Sequence, residues 1–196
     1  VDETLERLGT DYIDLMILHQ PAGDYLAGYA KLEAAYKAGK LRSIGISNFN
    51  KAEIENLLAH CEITPALIQV ECHPYFPQTE LKELLDKHNI ALQSWYPLGG
   101  RDNKSILEEP IVSELAEKYG KTAAQVIMRW HVQQGNIVIP GSKTPSHIAD
   151  NIDIFDFELS DEDMEAMATL DQGKPFYERT TEKIAYYATW HPDVEG

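Results

Sequence analysis

Five short stretches of this sequence end in side chains able to bind a ligand. They are His19-Gln20, Ser47-Asn48, Gln69-Val70-Glu71, Trp95-Tyr96 and Gly141-Ser142-Lys143, and each follows an apolar run. Imidazole, hydroxyl and amide groups hydrogen-bond, aromatic rings stack, and a lysine supplies a positive charge. Next to the last stretch, Thr144 is a fit N-cap and Pro145 a fit first helical residue. A helix starting there directs free N–H groups outward, an arrangement that suits phosphate, and Ser142 and Lys143 add a donor and a cation beside it. No metal site is expected, because His60, Cys61, Cys72 and His73 show neither CxxC nor HExxH spacing. Glu71 and Glu80 are candidate general acids for a different kind of enzyme, although carboxylates at loop starts are commonly just solvated.

The elements that would position these groups alternate regularly. Runs at 12–18, 43–47, 67–70, 90–95 and 136–139 read as strands, the near-continuous apolar run at 12–18 as one covered on both faces. Between and after them, helical spacing with caps or stops marks helices at 27–38, 51–60, 79–88, 122–133, 145–151 and 161–170. Asn50, Thr79 and Thr122 stand at the starts, while 101–119 reads as a longer insert and 171–196 as an irregular arm. Strands alternating with helices make a parallel sheet with strand ends, and so loops, gathered on one side. The unit length suits a (β/α)8 barrel, at about 30 residues per unit. No Gly-rich dinucleotide fingerprint follows the first strand and no Walker loop is present. A barrel of about 250 residues would need more strands than five, so an open five-stranded sheet and part of a barrel both fit.

Composition narrows the partners. With 196 residues, 17 basic and 32 acidic side chains, the net charge is −15. Such a chain repels nucleic acid and anionic membrane surfaces, and no apolar run approaches the ~20 residues that span a bilayer. The acidic, polar start VDETLERLGTDY is not expected to act as a signal peptide, and two cysteines are too few for a disulfide framework. A cytoplasmic location is the expectation.

The stretches LGTDYIDLMILHQP (8–21), GKLRSIGISNF (39–49), LIQVECHPYF (67–76), SWYPLGG (94–100) and IVIPGSKTPSHIADNI (137–152) resemble the aldo-keto reductases, in family order and at family spacing. The resemblance implies an α/β fold of the (β/α)8 TIM-barrel type, partial here with about five of eight strand–helix units. It also implies NAD(P)H-dependent reduction of aldehydes and ketones to alcohols, with a small-molecule carbonyl substrate. His19 matches the family's catalytic histidine, which orients the carbonyl and supports proton donation by a tyrosine. The alternative for a lone histidine is a buried, satisfied core residue. The family's Asp, Tyr and Lys have no counterpart in motif context here.

The same resemblance assigns the cofactor surface. Ser47, Asn48 and Gln69 match residues that grip the nicotinamide carboxamide, Trp95 an aromatic stacked on the ring, and Tyr96 to Gly99, with Leu98, a loop along the pyrophosphate. Ser142, Lys143, Thr144 and His147 match the 2′-phosphate site, and Asn151 with Asp150 the adenine contacts. The family usually has Lys at Gly141 and Arg at His147. Losing two fixed cations weakens the hold on the 2′-phosphate, so NADPH with a reduced preference over NADH is expected. His73-Pro74 matches a structural turn, and the aromatic arm, with Phe176, Tyr177, Tyr186, Tyr187 and Trp190, resembles a loop covering the substrate pocket.

The chain is expected to form one domain, 1–196, corresponding to the C-terminal part of a reductase barrel. As such a piece it would lack the proton donor and be inactive alone. Its first and last strands would expose edges that favour self-association, whereas the intact protein is expected to be a monomer. A non-catalytic remnant that binds cofactor or a partner, and an unrelated barrel hydrolase or isomerase, are the competing readings.

Overall fold

The computed structural model describes residues 1–100 and 105–190. Arg101, where the expected insert begins, and the last six residues of the expected arm lie outside the described residues. Five strands, β1 (Met16–Leu18), β2 (Ile44–Ser47), β3 (Leu67–Glu71), β4 (Ala91–Trp95) and β5 (Ile137–Val138), form one sheet in sequence order. The β1–β2, β2–β3 and β4–β5 pairs are parallel. Nine α-helices are described: α1 (Asp2–Leu8), α2 (Tyr25–Lys37), α3 (Lys51–Leu58), α4 (Thr79–Lys87), α5 (Pro110–Tyr119), α6 (Ala123–Gln133), α7 (Pro145–Ile152), α8 (Asp161–Ala168) and α9 (Thr181–Thr189).

The chain divides into two compact units: residues 1–69, 84–90 and 178–196, and residues 70–83 and 91–177. In the first, β2 is buried at all four residues, as a strand covered on both faces must be. Tyr29, Ile44, Ile46, Phe49, Ile54, Leu57 and Ile68 make its core. Gly45 lets β2 and β3 approach, since a Cβ there would lie 3.0 Å from the Leu67 carbonyl oxygen. The buried Glu33 carboxylate is satisfied by the N–H groups of Glu62 and Ile63, at 2.7 and 2.8 Å. In the second unit, Tyr75, Ile106, Val112, Leu115, Val126, Ile127, Trp130, Leu159 and Met167 form one apolar cluster.

Several expectations need correction. The apolar run from Tyr12 does not pair throughout. Asp14 is exposed and ion-paired with Arg42 at 2.9 Å, so only Met16–Leu18 forms a strand, with an isolated bridge from Ile13 to Leu41. Half-buried β1 and two-residue β5 stand at the ends of the strand order, each with a strand neighbour on one side. Thr79 is the first residue of α4 rather than its cap, following Gln78 in the left-handed region at φ 62°. The acidic start forms α1, stopped by left-handed Gly9. The insert carries a 3₁₀ turn (Ser105–Glu108) and the full helix α5, which buries Val112 and Leu115. The arm includes α9, capped by the Thr180 side chain on the Lys183 N–H.

Candidate active site

Parallel strands put their carboxyl ends on one side, and in the first unit that side gathers His19, Ser47, Asn48 and Gln69. Leu18 pairs with Ile46, and Ser47 with Gln69. Asn48 then turns out of the strand in the left-handed region at φ 62°. Asparagine tolerates that conformation better than most residues because its short side chain bonds locally. Its N–H donates to the Gln69 carbonyl at 3.0 Å and its Nδ2 to the His19 carbonyl at 3.4 Å, tying three strand ends together. Ser47 is fully buried, and its Oγ has no hydrogen-bond partner. An orphaned buried hydroxyl costs about 1–3 kcal/mol, so the position suits a polar ligand group that would satisfy it. His19 is exposed, not the satisfied core histidine of the alternative reading.

In the second unit, Trp95 ends β4 half-buried, its ring 4.7 Å from that of Tyr96 at 71°. Tyr96 has φ 54°, an outlier for a bulky residue. Such strain persists only where the surroundings enforce it, and it concentrates at functional sites. The turn closes with the Gly99 N–H on the Tyr96 carbonyl at 2.9 Å, and Gly99, at φ 89°, occupies a conformation that favours glycine. Leu98 packs on the unit's apolar cluster, a structural duty alongside the one expected of it. From below, buried His131 donates Nε2–H to the Pro97 carbonyl at 3.3 Å.

Beyond β5, Thr144 takes the N-cap position of α7 and Pro145 its first position, but the threonine side chain makes no cap bond. Ser142 instead tightens the turn before the helix: its Oγ accepts the Thr144 N–H at 3.1 Å and keeps its own O–H to donate. Lys143, Thr144 and His147 are exposed, while Ser142, Asp150 and Asn151 are half-buried. His147 and Asn151, four residues apart in α7, share a helix face. Because β4 and β5 are adjacent and parallel, this helix start and the Trp95 turn follow the same ends of the two strands.

Glu71 differs from its expected solvation and from a free general acid. It is buried, accepts His73 Nε2 at 3.0 Å, and accepts the N–H groups of Phe176 at 2.6 Å and Tyr177 at 3.0 Å. Glu80 is exposed at the start of α4. His73 forms the tight turn expected of His73-Pro74, with the Phe76 N–H on its carbonyl at 2.8 Å. The ring of Tyr177 stands edge-on to Trp95 at 5.8 Å and 76°. Sequence reasoning singled out this carboxylate as a ligand-binding or general-acid group and missed its burial and its hold on the arm. The signal was a glutamate closing the strand Leu67–Glu71 next to apolar Val70, where a buried charge needs a built partner. Among the described residues no group of three or more His, Cys, Asp or Glu could hold a metal ion, and no helix is long and apolar enough to cross a membrane.

Comparison with known proteins matches residues 1–172 to the model of the aldo/keto reductase family. An aldo-keto reductase of Mycolicibacterium smegmatis is 43% identical over 176 residues, covering 88% of this chain and 63% of its own length. The crystal structure of MGS-M4, an aldo-keto reductase enzyme from a Medee basin deep-sea metagenome library, superposes with a TM-score of 0.87 at 35% identity, over 90% of this chain and 66% of that one. A Gox0644 mutant crystallised in complex with NADPH gives 0.84 at 37% identity, over 90% and 66%. The chain spans about three-fifths of the length of the curated relatives it matches. The strand–helix units are therefore those of an α/β fold of TIM-barrel type, and the chain belongs to the aldo/keto reductase family.

Proposed function

We propose that this chain serves an NAD(P)H-dependent oxidoreductase that reduces aldehydes and ketones to alcohols. The observation that carries the reading is the buried, partnerless hydroxyl of Ser47, beside the left-handed Asn48 that joins the ends of β1, β2 and β3. The family match and the NADPH complex of one structural neighbour support it.

In this reading Ser47, Asn48 and Gln69 hold the nicotinamide carboxamide, and Trp95 offers a flat face to the ring. The backbone of 96–99, with Leu98, lies along the pyrophosphate. The start of α7, with Ser142, Lys143, Thr144 and His147, receives the 2′-phosphate, and Asn151 contacts adenine. The bound nicotinamide supplies a hydride. His19, exposed at the end of β1, donates a hydrogen bond that orients the carbonyl oxygen. With Gly141 and His147 in place of two fixed cations, the chain takes NADPH with only a modest preference over NADH.

Calorimetric titration with NADPH and NADH tests this. Ser47→Ala removes the hydroxyl without altering the fold around it, and NADPH affinity is expected to fall about tenfold, the equivalent of roughly 1.4 kcal/mol. Absence of binding by either nucleotide to the parent chain would overturn the reading.

A further inference from the structure

Glu71 is 5% exposed, and a buried carboxylate is tolerated only when hydrogen bonds replace its lost hydration. Its donors here are the imidazole of His73, itself fully buried, and two successive backbone N–H groups, of Phe176 and Tyr177. Backbone donors of that kind fix a register: they hold the chain at one residue and no other. The rings reinforce it, with Phe176 lying 4.6 Å from His73 at 39° and Tyr177 edge-on to Trp95. Upstream, the N–H groups of Gln172 and Lys174 both reach the Tyr75 carbonyl, at 3.0 and 3.3 Å. The segment 172–177 is thus pinned to the 71–75 stretch at both ends, and the carboxylate is the charged pin.

We propose that Glu71 is a positioning residue: with His73 it locks the register of the 172–177 segment and so holds the ring of Tyr177 edge-on against Trp95, fixing the indole face. The locking stands on the geometry alone, while the use of the fixed indole face by a nicotinamide ring rests on the reading of Trp95 under Proposed function. Glu71 itself touches no substrate. Its effect passes through the arm.

The test uses the full chain and three nuclear-magnetic-resonance readouts. The first is amide exchange at Phe176 and Tyr177. Glu71→Ala is expected to speed it at least tenfold while Ile46, Ile68 and Val126 keep their protection. Should Glu71→Ala fail to fold, Glu71→Gln decides the matter: it keeps the shape and one acceptor oxygen, so exchange is expected to rise several-fold in a folded protein. The second is the ring-to-ring Overhauser contact between Tyr177 and Trp95, expected in the parent chain and weakened in either variant. The third is the Trp95 indole signal titrated with NADPH, with affinity at least fivefold weaker in Glu71→Gln. Unchanged exchange and ring contact in a folded variant would overturn the lock. A parent chain whose Trp95 signal ignores NADPH would overturn the reading of Trp95 as a nicotinamide face while leaving the lock standing.

Discussion

At the scale of single residues, two positions decide how the chain would treat a 2′-phosphate. Gly141 is exposed, has no need of a left-handed backbone, and a Cβ placed on it meets nothing within 4 Å. Packing therefore does not require glycine there, and Gly141→Lys should be accepted without strain. A lysine beside Ser142 and Lys143 adds one charge-assisted contact, so NADPH affinity is expected to rise about tenfold, or roughly 1.5 kcal/mol, with NADH affinity unchanged. His147→Arg should act in the same direction, since a guanidinium holds phosphate in two hydrogen bonds and keeps its charge at every working pH. Titration of both nucleotides into both variants checks this, and equal gains for NADPH and NADH would show that the site does not discriminate the phosphate. His19, Ser47, Asn48, Gln69 and Trp95 were legible in the sequence as residues because each ends an apolar run. What was not legible was their condition. Nothing in the letters says that Ser47 is left without a partner, that Tyr96 sits at φ 54°, or that Glu71 is satisfied by an arm over a hundred residues downstream.

At the scale of elements, the capped helices were the ones best read from sequence. Asn50 and Thr122 each close a reciprocal capping box, with Glu53 and Gln125 returning a bond to the cap backbone. These are local arrangements, written in four consecutive residues. Thr144 shows the limit of that logic: its position is right, yet its side chain makes no cap bond. The two threonines should therefore behave differently. Thr122→Ala is expected to cost about 1 kcal/mol, the usual worth of a side-chain cap, and Thr144→Ala to leave stability within a few tenths of the parent. Urea melts of the two variants decide it, and equal losses would mean that α7 is capped by its threonine after all. The elements that were missed, α1, α5 and α9, failed for a different reason. Their apolar residues are few or spread among charges, so their helicity depends on what they pack against, as Val112 and Leu115 of α5 do. Strand ends were overextended at 12–18 because an apolar run records burial, not hydrogen bonding, and Asp14 breaks the pairing.

At the scale of the whole molecule, acid stability should be governed by one buried imidazole. His131 is fully buried, and its partners select the neutral ring. Lys82 Nζ donates to Asn136 Oδ1 at 3.2 Å, which turns the Asn136 amide nitrogen toward His131 Nδ1 at 3.4 Å, while Nε2–H is given to the Pro97 carbonyl. A second proton on Nδ1 would meet a donor. Burial is the largest cause pushing His131 down to about 3; the Pro97 bond opposes it and the nearby His73 adds to it. The unfolded chain takes up that proton at about 6.5, so between the two values it binds more protons than the folded state, and stability falls as the pH drops. The slope is about 1.4 kcal/mol per pH unit, or roughly 2 kcal/mol between pH 7 and pH 5. Asp163 acts in a separate, lower window. Burial opposes its ionisation, but bonds from Lys118, Tyr119 and Ser160 prevail and hold it at about 2, so its contribution is present above its ordinary range and is lost only as the pH falls through it. His131→Gln offers an amide that can donate to Pro97 and accept from Asn136 without titrating. Between pH 7 and pH 5 the parent should lose about 2 kcal/mol more than this variant, measured by urea unfolding at each pH. Equal losses would mean that the folded protein protonates His131 freely, and that the Lys82–Asn136 pair does not hold the ring neutral.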